Sequence, residues 1–232
     1  MTDSVKLCLD VRDMPEEARR EVEVHHARTQ DKRDDYVGER YPKPITVTSP
    51  LSGTGMELIT YWDGSGDQFL QSQIVSALNL PNALTGQNGE HGTSIFAAGV
   101  AGLYLLKYWM ACDGVPGFAL DMLTTHHVSL HGATVTYLIT CETEEQTRTN
   151  VLHMKAALRI LGYKLTSIDS TNETFCLKRN GYTLKVYHKT DFSHCVFANE
   201  EVAETIKARA RCIIRIEVEM QGHYLRQRGW DA

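Results

Sequence analysis

The apolar positions of this chain recur mostly at every second residue, the spacing of side chains on one face of a β-strand. The clearest run is RCIIRIEVEM from Arg211. There Cys212, Ile214, Ile216, Val218 and Met220 form one unbroken apolar side, and Arg215, Glu217 and Glu219 share the other. In TLKVYHK, Thr183 to Lys189, Leu184 and Val186 oppose Lys185, Tyr187 and Lys189. Ala133 to Cys141 sets Val135, Tyr137 and Ile139 against Thr134, Thr136 and Leu138. Gly117 to Val128 alternates Phe118, Leu120 and Met122 with Ala119, Asp121, Leu123, Thr125 and His127. That pattern predicts another strand, with Asp121 turned away from the larger apolar residues. Shorter strand signals lie at Val5 to Val11, Pro44 to Ser49, Gly55 to Trp62, Gln73 to Leu78, Lys164 to Ile168 and Thr174 to Lys178. The Arg179, Asn180, Gly181 step predicts a tight hairpin.

Longer spacings predict the helices. Thr93 to Ala111, with Thr93 as N-cap and an apolar run from Ile95 to Leu106, reads as a buried helix ended by Asp113, Gly114, while Glu144 to Leu161 opens on a Thr143 to Gln146 capping box and stops at Gly162. Asn199 caps a helix to about Arg209. Asp13 to Lys43, crowded with both charge signs, reads as a solvated helix or mobile insertion, with His25 and His26 at its surface. Strands and helices in this order predict an α+β fold, a central, mainly antiparallel sheet with helices packed on one face. Residues 1–232 read as one domain, with N-terminal strands and the charged insertion through residue 75 and the chemistry-bearing segments from 76 onward. The sequence contains no internal repeat.

Composition narrows the functional classes. The net charge of −5 argues against a general nucleic-acid coat, but it averages 10 basic and 20 acidic residues through Glu145 with 14 and 9 afterwards. The half that contains Tyr187 is therefore locally basic. The six cysteines form no CxxC pair and predict reduced thiols in an intracellular protein. The N-terminus lacks a signal-peptide pattern, and the Ile95 to Leu106 run is too short to span a bilayer, so no membrane partner is expected.

If the predicted strands share one sheet, the face opposite the helices carries Asp121, His127, Lys185, Tyr187, Lys189, Arg215, Glu217 and Glu219. Carboxylates with an imidazole can hold a divalent cation, and a tyrosine beside it can attack phosphorus. A free phenol has a pKa of about 10, so it needs a metal, a base or adjacent positive charge to react at neutral pH. Lys185 and Lys189 supply such charge and could neutralise the transition state. The glycines of NLPNALTGQNGEHG, from Asn79, fit neither a dinucleotide fingerprint nor a P-loop.

Four segments in order resemble the replication initiators of filamentous phages and related plasmids, the gene II and gene X type of rolling-circle nicking enzyme. NLPNALTGQN (Asn79 to Asn88) resembles their proline-containing turn, with Gln87 where histidine is often found. FALDMLTT resembles their Asp-bearing strand, TLKVYHKTDF their Tyr-x-Lys strand, and IIRIEVEMQGHYLRQRGW their Arg-x-Glu strand and following helix. The resemblance implies an HUH-endonuclease-like fold in the cytoplasm of a prokaryotic host. It also implies origin DNA as substrate, host helicase and polymerase as partners, and Mg²⁺ or Mn²⁺ as cofactor. Tyr187 matches the nucleophile, with Lys185 and Lys189 beside it. Asp121, Glu217 and His127 would hold the metal, His126 and His131 being the other nearby imidazoles. Arg179, Arg215, Gln87 and Asn88 would contact DNA. Two alternatives stand: a noncatalytic RRM-like module binding single strands through Tyr182, Tyr187 and the basic face, and a metal-dependent phosphodiesterase that uses water.

Overall fold

The structure, a computed structural model, describes residues 2–34, 45–53, 55–62, 73–86, 94–167, 174–190, 192, 197 and 199–229. Its strands are β1 (Thr2–Asp10), β2 (Ile45–Thr48), β3 (Gly55–Trp62), β4 (Gln73–Asn79), β5 (Val128–Thr140), β6 (Thr166–Ser167), β7 (Thr174–Arg179), β8 (Tyr182–His188) and β9 (Ile213–Gln221). They make one nine-stranded sheet in the order β2-β3-β4-β1-β5-β9-β8-β7-β6. Every pairing in it is antiparallel. The helices are α1 (Glu16–Asp34), α2 (Leu80–Thr85), α3 (Ile95–Cys112), α4 (Gly117–Met122), α5 (Glu144–Ile160), α6 (Glu200–Arg211) and α7 (Gly222–Gln227). The expected α+β architecture with an antiparallel sheet is what the chain adopts.

Although no sequence repeat is visible, the topology repeats. A long strand, a helix, an antiparallel meander and a short helix occur as β1-α1-β2-β3-β4-α2. They recur as β5-α5-β7-β8-β9-α7, with β6 and α6 added. The two long strands β1 and β5 pair with each other, so the halves meet as one sheet rather than as two. The register between β1 and β5 passes from Leu7↔Leu130 to Lys6↔Gly132, leaving His131 as the extra residue of a bulge.

One face of the sheet is apolar and covered. Val5, Leu7 and Leu9 of β1 are fully buried in a cluster with residues of α1 to α4, including Val22, Ala83, Leu106 and Leu120. Each fully buried leucine of this kind contributes roughly 1.5–3 kcal/mol. A second cluster joins Val151 of α5 to Phe175, Val186 and Ile214, and a third joins Leu225 of α7 to Ala133 and Met220. Helix α3 is long and apolar enough to cross a membrane. In the fold it lies along β1, where a side chain at Gly102 would come within 2.8 Å of Leu7 Cδ1.

Several expectations change. Gly117 to Val128 is not a strand: α4 and a 3₁₀ turn, Thr125–His127, occupy it. Ala119, Leu120 and Leu123 are the buried residues there, a helical spacing that the alternation of Phe118, Leu120 and Met122 concealed. Asp13 to Lys43 contains a packed helix rather than a solvated one, since Ala18, Val22, His25, His26 and Thr29 are buried along α1. His25 Nε2 lies 2.9 Å from Asp113 Oδ2, and its ring meets Trp109 edge-on at 4.8 Å. Burial is offset by that polar partner, which sequence order places far away. Helix α3 is capped by Ser94, and the expected cap Thr93 lies outside the described residues. At α5 the Thr143 hydroxyl accepts from Gln146 N as expected, but the Gln146 side chain reaches back to Glu142 N.

Candidate active site

The second face of the sheet carries the candidate chemistry in three cross-strand rows. Antiparallel pairing brings Ser4, Thr134, Glu219, Thr183 and Lys178 into the first, and Thr136, Glu217, Lys185 and Cys176 into the second. Leu138, Arg215, Tyr187 and Thr174 form the third. Because β8 and β9 are adjacent, the polar positions of the two most regular strands interleave.

Tyr187 Oη donates to Glu217 Oε1 at 2.5 Å, diagonally across the β8/β9 pair. Arg215 Nε donates to the same carboxylate oxygen at 2.9 Å from two residues along β9. The Arg215 and Glu217 side chains are 3 % and 11 % exposed, so this pair is held out of water. Lys185 reaches the other way, its Nζ 3.2 Å from Glu219 Oε2, at the partly solvated edge of the group. Thr136, almost fully buried, stands directly opposite Glu217 on β5. The face thus holds a phenol already bonded to a proton acceptor, with a guanidinium fixing that acceptor and an ammonium one row away.

Of the residues singled out from sequence, Tyr187, Lys185, Arg215 and Glu217 are brought together. Lys189 lies just past β8, its ammonium 5.4 Å from the centre of the Phe192 ring. Arg179 is not part of the group. It pairs with Tyr182 across the hairpin, on the parity of the apolar face, and its guanidinium lies 5.1 Å from the Tyr163 ring centre. Gln87 and Asn88 lie outside the described residues.

The proposed metal ligands do not converge. Asp121 sits exposed on α4, which packs against α1 and α3 over the apolar face, whereas Glu217 projects from the opposite face. His127 Nδ1 accepts from the Thr124 backbone N–H at 3.1 Å, closing a local capping turn. His126 shares that turn, and His131 occupies the β-bulge. Among the described residues, no cluster of three or more His, Cys, Asp or Glu side chains could hold a cation. Asp121, His127 and Glu217 therefore do not fit Mg²⁺ or Mn²⁺ as one ligand set, and Glu217 Oε1 is engaged by Tyr187 and Arg215 instead.

Tyr182 and Tyr187 lie on opposite faces, with Tyr182 packed near Tyr224 at 5.4 Å between ring centres. A single-strand platform that uses both tyrosines on one surface is therefore not formed. Sequence reasoning missed Thr136 as a neighbour of Glu217. Its parity was legible, but the pairing of β5 with β9 was not. Comparison with protein-family models and with curated proteins finds no match to this chain.

Proposed function

We propose that this chain nicks one strand of DNA at a replication origin by tyrosine attack, in the manner of rolling-circle initiators. The observation that carries the reading is the Tyr187–Glu217 hydrogen bond on the second sheet face, with Arg215 on the same carboxylate oxygen. A phenol needs an acceptor for its proton, and here that acceptor is already at hydrogen-bond distance.

In the proposed step the Tyr187 oxygen forms a bond to phosphorus as the P–O3′ bond breaks. The phenolic proton passes to Glu217, and the departing 3′ oxygen takes a proton from solvent. The products are a 5′-phosphotyrosine and a free 3′-hydroxyl that a polymerase can extend. Rejoining runs the same bonds in reverse, with Glu217 returning its proton. Arg215 holds the carboxylate, and Lys185 offers charge to the phosphate oxygens. The resemblance implies a divalent cation that would polarise the phosphoryl oxygen, but Asp121 and His127 stand apart from Glu217, so no step is assigned to it.

Supercoiled origin DNA incubated with wild-type protein should give open circles and a protein-linked strand on denaturing gels, and Tyr187→Phe should give neither. Equal nicking by the two proteins would remove Tyr187 as the nucleophile. Nicking without any protein-linked DNA would favour water as the attacking group.

A further inference from the structure

Beside the Tyr187 row lies a cleft of about 630 Å³ between the C-terminal end of α6 and the ends of β5 and β9. Leu138 and Ile213 form its floor, and Thr140, Glu142 and Arg209 are among the other lining residues. Leu138 is the direct cross-strand partner of Arg215, which is in turn the partner of Tyr187. Neighbouring strands are about 4.8 Å apart, so the floor begins roughly two strand spacings from the nucleophile.

We propose that this cleft seats the nucleoside adjoining the scissile phosphate of a single DNA strand. The proposal rests on the nicking reading and adds a substrate subsite to it. Three properties favour this occupant over a purely apolar one. The floor is apolar enough for a base to lie on, with Leu138 of β5 diagonal to Ile213 of β9 on the same sheet face. The lining carries a guanidinium, the group suited to a neighbouring phosphate. Finally, Thr140 and Glu142 at the rim offer oxygen acceptors, which suit a base bearing an exocyclic amine. A carboxylate at the rim also disfavours a second phosphate there, which gives the strand a direction across the row.

Cys141 and Cys212 line the same cleft, and both are partly exposed, whereas Cys112 is exposed at the end of α3. These thiols report occupancy without relying on cleavage. The protein is alkylated with a maleimide in the presence of a single-stranded oligonucleotide pool of random sequence, and each site is followed by peptide mass spectrometry. DNA should slow modification of Cys141 and Cys212 at least several-fold and leave Cys112 unchanged, and Arg209→Glu should remove most of that protection. Covalent adduct formation is scored in parallel with the same pool. Protection without an adduct keeps the cleft as a single-strand contact but overturns the nicking reading and, with it, the assignment of the cleft to the nucleoside at a scissile phosphate. An adduct without protection overturns the cleft alone, and the absence of both overturns the two together.

Discussion

At the scale of single residues, exposure separates two ion pairs that look alike in the sequence. Arg215–Glu217 is buried, so truncating Arg215 would leave a carboxylate without its partner away from water. Arg215→Ala should destabilise the protein by about 3–5 kcal/mol in urea unfolding. Lys185–Glu219 is 36 % and 38 % exposed, and Lys185→Ala should change stability by less than about 1 kcal/mol. The same lysine variant should weaken single-strand binding and reduce the salt dependence by about one phosphate contact, measured by anisotropy over a salt series. Glu217→Gln keeps the shape of the acceptor but removes its charge. Adduct formation should then fall about 10²–10⁴-fold, and an unchanged rate would exclude Glu217 as the proton acceptor. Parity alone put Tyr187 with Lys185, and Arg215 with Glu217, on the polar side of their own strands. It misplaced Asp121, because a short helix with buried Ala119, Leu120 and Leu123 can pass for alternation over six residues.

At the scale of elements, the strands that carry the site are set by their neighbours. Helix α7 begins directly at the end of β9, and its first residue approaches the bulge of β5. A Cβ at Gly222 would lie 2.7 Å from His131 O, a backbone atom that cannot rotate aside. Gly222→Ala should therefore cost about 1–3 kcal/mol, read from the urea midpoint, by pushing α7 off the β5/β9 pair. The hairpin between β7 and β8 was readable from Asn180 and Gly181, whose φ of 88° is of the left-handed kind that glycine accepts readily. The caps of α5 and α6 were equally readable, since Thr143 and Asn199 act on donors three residues away. What local chemistry could not decide was the partner of each strand. Nothing near Tyr187 in sequence states that β9, beyond a helix, lies beside β8 and delivers Glu217 to its hydroxyl.

At the scale of the whole molecule, the repeated topology makes one sheet from two halves, and the seam is filled from both sides. Val128 and Leu130 of β5 pack on the N-terminal core, and Ile95 of α3 packs on the cluster of Ala133, Met220 and Leu225. Separating the halves would expose β1 and β5 as long open edges. Unfolding should accordingly be a single cooperative transition, with calorimetric and van't Hoff enthalpies in agreement. Two resolved transitions would show that the halves are independent units. By itself the sequence determined most of the strands, the caps of α5 and α6, the hairpin glycine and the polar side of the strand on which Tyr187 lies, because each follows from side chains within a few residues of one another. Only the tertiary structure decided that Glu217 and Arg215 meet the phenol while Asp121 and His127 remain apart. It also decided that His25 is buried against Asp113 and that a cleft opens beside the Tyr187 row. Those outcomes depend on strand order and helix placement, which arise from burying the apolar face of the whole sheet at once.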